Sequence, residues 1–271
     1  MNNTAMRIMV SVLAIPLILA ACYFGRVYFF FFSLAVALIS FYEFYRLAKN
    51  KGANVNFYIG ICAILFLMFN GYLHLFDAYS FLLIVIVVTA LIELFRNNGS
   101  AIINIGTTLL GIFYIGLFSV ALLDIREFYP YVGGLYLRGG FLVISILATI
   151  WICDSAAYFV GLSFGKHKLF PRVSPKKSWE GAIFGFIFAI LTMILAHFLV
   201  LDFLSFNETI ILGIIIGIVG QIGDLIESLI KRDAQVKDSS SLIPGHGGVL
   251  DRFDSLLYSA PVILLYLRFF T

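Results

Sequence analysis

Apolar residues run along this chain in long stretches broken by short polar interruptions. A helix needs about 20 mostly apolar residues to cross a bilayer, within a range of about 17–25. Nine stretches are candidates: Ile8–Gly25, Val27–Tyr42, Phe57–Leu73, Tyr79–Ile92, Ala101–Leu123, Gly140–Gly161, Gly181–Leu201, Ile210–Ile230 and Phe253–Phe270. The second and fourth are short and are expected to extend into their polar flanks. Helices are the expected form, because lipid offers an unpaired backbone group no partner, and no strand-like alternation competes. The pattern predicts an all-α, polytopic integral membrane protein of about nine transmembrane helices. The first stretch follows Arg7 and ends Leu19-Ala20-Ala21-Cys22, similar to a lipoprotein cleavage site. Because the chain after it reads as a membrane bundle, a first transmembrane helix is the simpler reading.

Composition agrees with the pattern. The 271 residues are 62% hydrophobic and 12% charged, with a mean hydropathy of +1.03. A soluble domain averages roughly 45–50% apolar and about 25% charged, so most of this surface must face lipid. Cys22, Cys62 and Cys153 all fall in apolar stretches, which predicts buried free thiols, and no Cys/His metal spacing exists.

The net charge of +3 says little, but its placement says more. If every stretch spans, one side receives the N-terminus and the loops after the even-numbered spans. That side carries Arg7, Arg46, Lys49, Lys51, Arg96, Lys166, Lys168, Arg172, Lys176, Lys177, Lys231, Arg232, Lys237 and Arg252; the other carries Arg26, Arg126, Arg138 and Arg268. The excess of Lys and Arg predicts that the first side is cytoplasmic, with the C-terminus outside. The chain reads as a single membrane domain, 1–271. Residues 1–150 form a lipid-embedded scaffold, residues 151–254 hold most of the polar motifs, and 255–271 complete the last span.

Four constellations could carry chemistry. Asp154 sits late in the sixth span, in Trp151-Ile-Cys-Asp-Ser-Ala-Ala-Tyr158. An intramembrane carboxylate usually faces a cavity or a partner; Tyr158 and Gly161 follow on the same helical face. The plainer reading is an interfacial Asp paired with a loop cation. Next, Gly165 to Glu180 carries five cations, which could simply enforce topology or touch anionic headgroups. Within it, Ser174-Pro-Lys-Lys-Ser-Trp-Glu-Gly181 has more order than a polybasic tail. Pro175 disfavours helix at Ser174 and is placed to open the helix that follows. Lys176, Lys177 and the first-turn amides would then face an anion together.

The eighth span ends Gly217-Ile-Val-Gly220-Gln-Ile-Gly223-Asp224-Leu-Ile-Glu227-Ser228-Leu-Ile-Lys231-Arg232. Helical spacing places Asp224, Glu227 or Ser228, and Lys231 on one face. Gly213, Gly217 and Gly220 lie on a related stripe suited to close helix packing. Two acids near a membrane surface suggest a divalent cation more than a solvated face. The last block runs from Lys237 and Asp238 through Pro244-Gly-His246-Gly247-Gly248 to Asp251, Arg252 and Asp254. Its glycines let backbone approach a ligand closely. A lone His is more often structural, but this one is Gly-flanked and sits five residues before an Asp. Oxygen-only acidic ligands suit Mg²⁺, and Lys and Arg suit phosphate oxygens. That is equipment for phosphoryl or nucleotidyl transfer, and the spacing alone does not say which. An ion-coupled transporter using Asp154, Asp224 and Glu227 is the rival class, although the motifs gather on one face instead of lining a path. A scaffold whose basic loops bind anionic lipid is a third.

The run from Ser228 to Asp254, Ser-Leu-Ile-Lys-Arg…Lys-Asp…Pro-Gly-His-Gly-Gly-Val-Leu-Asp-Arg-Phe-Asp, resembles the signature of phosphatidate cytidylyltransferases, also called CDP-diacylglycerol synthases. Asp154 to Tyr158, Ser174 to Gly181 and Gly223 to Ser228 are also similar to blocks of that family. Ser178 stands where many members carry Thr, which keeps the hydroxyl. The resemblance covers about 100 residues strongly and the first 150 weakly. It implies that CTP and phosphatidate give CDP-diacylglycerol and pyrophosphate, in a multi-pass cell-membrane protein with its active site on the cytoplasmic face. It also implies Mg²⁺, with K⁺ as a candidate second cation, a homodimer, and no nucleic-acid partner. Asp224 and Asp251 would be the metal-binding carboxylates. Lys231, Lys237 and Arg252 would bind phosphates, with His246 orienting a ligand. Asp154, Ser174, Lys176, Lys177, Glu227, Ser228, Gly247 and Gly248 would contact substrate.

Overall fold

With lipid outside, the cheapest way to satisfy each backbone N–H is within its own helix, and this chain does so along nearly its whole length. The computed structural model describes residues 3–243, 245 and 247–271, with the backbone alone at 3–7 and 78. Helices α1 (Asn3–Phe24), α2 (Arg26–Asn50), α3 (Phe57–Leu73), α4 (Ala78–Arg96), α5 (Ala101–Gly111), α6 (Phe118–Arg126) and α7 (Leu135–Phe164) make the first part. Strands β1 (Lys168–Phe170) and β2 (Ser174–Ser178) follow, then α8 (Trp179–Leu199), α9 (Phe206–Ile215), α10 (Gln221–Asp233) and α11 (Leu250–Phe270). A π-helical turn at Ile112–Leu117 joins α5 to α6, and another at Ile216–Gly220 joins α9 to α10.

Among the described residues, seven continuous helices are long and apolar enough to cross a membrane, and Ile8–Phe24 and Phe57–Leu73 are shorter apolar helices. As expected, the second and fourth stretches extend into polar flanks, α2 as far as Asn50 and α4 as far as Arg96. Local chemistry sets several starts: Asn56, Asp77 and Ser178 accept first-turn N–H bonds, and Ser205 with Glu208 forms a reciprocal cap.

The core lies where α2, α6, α7 and α11 meet, filled by Phe29, Phe41, Leu122, Ile146 and Leu257. Helices α4 and α8 pack outside it and leave most of their apolar surface exposed. Charge divides between the two ends of the bundle. Lys51 meets Asp233 at 2.7 Å where α2 and α10 finish, while Arg268 meets Asp124 at 2.6 Å where α11 and α6 finish.

Three expectations are corrected. First, the basic loop is an antiparallel hairpin, with Lys168 opposite Ser178 and Phe170 opposite Ser174. Pro175 removes a donor and holds Ser174 extended; the extended backbone continues to Ser178, which caps α8. Lys176 and Lys177 therefore alternate across a strand instead of sharing a helical first turn. Second, the glycine stripe is split: Gly213 and Gly217 pack on α8, whereas Gly220 and Gly223 approach α11. Third, Cys62 is exposed, on the outer surface of α3, while Cys22 and Cys153 are buried; all are free thiols.

Candidate active site at one end of the bundle

Six segments enclose a cavity of about 480 Å³: the end of α7, the β1–β2 hairpin, the start of α8, α10, the loop at Asp238 and the start of α11. Asp154, Tyr158 and Gly161 line it together, as their helical spacing predicts. Lys176, Lys177, Asp224, Lys231, Asp251, Arg252 and Asp254 face it as well. Residues 97 positions apart in sequence, Asp154 and Asp251, thus share one wall.

Each carboxylate has a distinct environment. Lys177 Nζ donates to Asp224 Oδ2, and Ser228 Oγ reaches Asp224 Oδ1 at 3.3 Å. Lys231 Nζ donates to Asp251 Oδ1 at 2.6 Å and lies 2.6 Å from Glu227 Oε2. The second contact is an ion pair without hydrogen-bond alignment, so Glu227, fully buried, keeps both oxygens without a hydrogen bond among the described residues. Asp251 Oδ2 accepts from Gly248 N at 2.8 Å, Ser239 Oγ at 2.9 Å and Ser239 N at 3.0 Å. Asp254 accepts from Ser255 N at 2.6 Å. Asp154 accepts no hydrogen bond from a described residue, and Asp224 repels both it and Asp254.

The remaining expected residues separate by place. Glu227 lies beneath Lys231, off the cavity wall, since α10 turns it inward to the core. Ser174, Ser228 and Lys237 also lie off the wall, and Lys237 is exposed on the loop. Gly247 (φ +85°) pairs with Ile243 at 2.9 Å, a left-handed backbone that glycine supplies at little cost. Gly248 makes room: a Cβ there would stand 1.9 Å from Ser239 Oγ. Both glycines shape the loop under Asp251 instead of facing the cavity. His246 falls outside the described residues, as does Pro244.

Glu43 and Ser239 escaped sequence reasoning, and Gln221 and Asp238, which stand inside the quoted motifs, were given no role although both line the cavity. Glu43 is buried in α2 and accepts from Val249 N, Leu250 N and Ser240 Oγ, while Ser239 Oγ, whose single proton serves either Glu43 or Asp251, stands 3.0 Å from it. Its signal was present, an acid inside an apolar run, Phe41-Tyr42-Glu43-Phe44. Ser239 stands in the run Ser239-Ser240-Ser241, where nothing local sets it apart.

Among the described residues no three acidic, histidine or cysteine side chains form a ready metal cage. Mg²⁺ commonly takes one or two carboxylates and completes its shell with water and substrate phosphates. The donor set fits that habit: Asp154, Asp224, Asp251 and Asp254 present oxygens to one cavity, and among the described residues Asp224 is held only by one lysine and a long contact to Ser228.

Comparison with known proteins bears on the whole chain. Residues 5–270 match the model of the cytidylyltransferase family. The phosphatidate cytidylyltransferase of Haemophilus influenzae is 36% identical over 97% of this chain and 98% of its own length. That of Brucella suis is 33% identical over 98% of this chain and 94% of its own, and that of Bacillus subtilis 29% identical over the full length of both. The similarity therefore extends well beyond the C-terminal motifs, through the helices that build the cavity, and the chain belongs to the cytidylyltransferase family.

Proposed function

We propose that this chain is a membrane-embedded phosphatidate cytidylyltransferase, which joins CTP to phosphatidate and releases pyrophosphate. The observation that carries the reading is the convergence of Asp154, Asp224, Asp251 and Asp254 with Lys176, Lys177, Lys231 and Arg252 around one cavity at one end of an apolar bundle. The full-length similarity to phosphatidate cytidylyltransferases supports it.

In the proposed reaction an oxygen of the phosphatidate monoester attacks the α-phosphorus of CTP. One P–O bond forms, the bond from the α-phosphorus to the bridging oxygen breaks, and the electron pair leaves with pyrophosphate. The monoester is largely dianionic at neutral pH, with a second pKa near about 6 by analogy with phosphoserine. No strong general base is needed, so catalysis is mainly positioning and charge stabilisation. Lys177 and Lys231, now paired with Asp224 and Asp251, are placed to meet phosphate oxygens, with Lys176 and Arg252 beside them. Glu227 and Asp251 flank Lys231 and hold its ammonium in place. Lys237 would bind phosphates of CTP, and His246 would orient a phosphate or ligand. Asp224 and Asp251 would hold Mg²⁺, which would neutralise triphosphate charge, with K⁺ as a second cation.

The active site is proposed to face the cytoplasm, with the N-terminus inside and the C-terminus outside, because Lys and Arg concentrate at the cavity end. A homodimer is proposed on the broad apolar faces of α4 and α8, which the fold leaves uncovered. Transport is not retained as a second reading: the full-length relatives are cytidylyltransferases, and at the opposite end Arg126 is held by carbonyls and Arg268 by an ion pair.

The test combines function and orientation. Sealed inside-out membrane vesicles containing the protein are supplied with labelled CTP, phosphatidate and Mg²⁺, and the lipid is extracted. Labelled CDP-lipid is expected there and not in sealed right-side-out vesicles. Absence of product in detergent-opened vesicles would overturn the activity, and equal product in both sealed preparations would overturn the orientation.

A further inference from the structure

Glu43 is the one carboxylate of the site region that comes from the N-terminal part of the chain, and it does not line the cavity. It stands on α2 between buried Phe41 and Phe44 and is itself fully buried. A bare carboxylate there would be costly, so its partners decide what it does. Val249 N donates to Oε1 at 3.0 Å and Leu250 N to Oε2 at 2.7 Å. Ser240 Oγ donates to Oε1 at 2.5 Å and Ser239 Oγ lies 3.0 Å from Oε2. The two backbone donors open α11, whose side-chain cap is otherwise missing, and the positive end of that helix favours an anion. Glu43 therefore fastens both the end of the 234–249 loop and the helix that carries Asp251.

The contact reaches further through one hydroxyl. Ser239 Oγ stands 3.0 Å from Glu43 and 2.9 Å from Asp251 Oδ2, while Ser239 N and Gly248 N hold the same Asp251 oxygen. Asp251 Oδ2 is thereby turned into the loop, and Oδ1 is left toward Lys231 and the cavity. We propose that Glu43 is a positioning residue, which sets the orientation of Asp251 through Ser239 and the first amides of α11. Accepting this inference requires that Asp251 works in the transfer, as proposed above.

The experiment uses the full-length protein purified in detergent, with Glu43→Gln, Ser239→Ala, the double variant and Asp251→Asn measured together. Hydrogen bonds to a charged partner are worth enough that Glu43→Gln and Ser239→Ala should each lower kcat by about tenfold or more. The double variant should fall little further than Glu43→Gln alone, because both act along one path. Hydrogen exchange should rise in peptides spanning 236–251 and stay at the parental level in α8. Ser239→Ala leaves the Val249, Leu250 and Ser240 bonds to Glu43 in place, so it reports on the path even if Glu43→Gln fails to fold. Parental kcat in Ser239→Ala, or losses that multiply in the double variant, overturns the inference, as does parental kcat in a folded Glu43→Gln. An inactive Asp251→Asn beside such results would leave the role of Asp251 standing, whereas an active Asp251→Asn would remove that role itself.

Discussion

The two ends of this bundle treat buried charge in opposite ways. At the end away from the cavity, Arg126 is fully buried, yet its guanidinium donates to the carbonyls of Cys22, Tyr23 and Tyr136 and lies 4.3 Å over the Tyr136 ring. It closes the C-terminus of α1, where exposed carbonyls favour a cation. Glu127 beside it accepts from Arg26 N at 2.9 Å and Tyr136 Oη at 2.7 Å. Arg126 and Glu127 have both been answered by the protein. At the cavity end, among the described residues, Asp154 has no hydrogen bond, Glu227 has only an unaligned ion pair, and like charges face one another around open volume. Burying a charge costs about the same at either end; the difference is that one end is complete and the other is left for something to complete it. Anionic phosphates together with a cation supply what is missing.

That contrast can be broken at either end. The largest effect is expected from Asp224→Asn and Asp251→Asn, each lowering CDP-lipid formation by about a hundredfold to a thousandfold, with folding retained, in a labelled-CTP assay. Near-parental rates in both would take the carboxylates out of the chemistry. Next comes Arg126→Met, which leaves the carbonyls of a helix end buried and unpaired; a stability loss of about 3–5 kcal/mol is expected, read as a lower unfolding midpoint in detergent. The rate per folded molecule should stay near parental, and a selective loss of kcat without loss of stability would erase the division between the ends. Smallest is Lys51→Ala at the cavity end but off the cavity. Its ion pair with Asp233 joins two side chains more than half exposed, so stability should change by no more than about 1 kcal/mol and activity not at all.

Much of the site could be read from spacing. Asp224 with Lys231 follows helical periodicity, and Asp154, Tyr158 and Gly161 share a face because α7 continues unbroken through them. What spacing could not supply was contact between distant segments. Glu43 meets Ser239 across 196 positions, and nothing local to either residue points to the other. Lys177 finds Asp224 across 47 positions, a pairing made by the hairpin. That hairpin was itself illegible, because β1 is three residues long and shows no alternation against a run of cations. The inward turn of Glu227 was hidden for another reason: α10 gathers its polar residues on one face, which in water would point outward, whereas here the apolar side, with Ile222 and Leu229, is the exposed one and the polar side turns in.

The π-helical turn at Ile216–Gly220 has a bearing on how any such helix should be drawn. Gly213 and Gly220 stand seven residues apart, which along a straight α-helix leaves them within about 20° of one direction; here the first touches α8 and the second faces α11. Each surplus residue in such a turn rotates everything after it by about 100°. The azimuth of Asp224 is therefore set by a surplus residue upstream of it, near the middle of the Phe206–Asp233 span. Removing one residue from that turn would leave every side chain of α10 chemically intact and aim the carboxylate at a different neighbour.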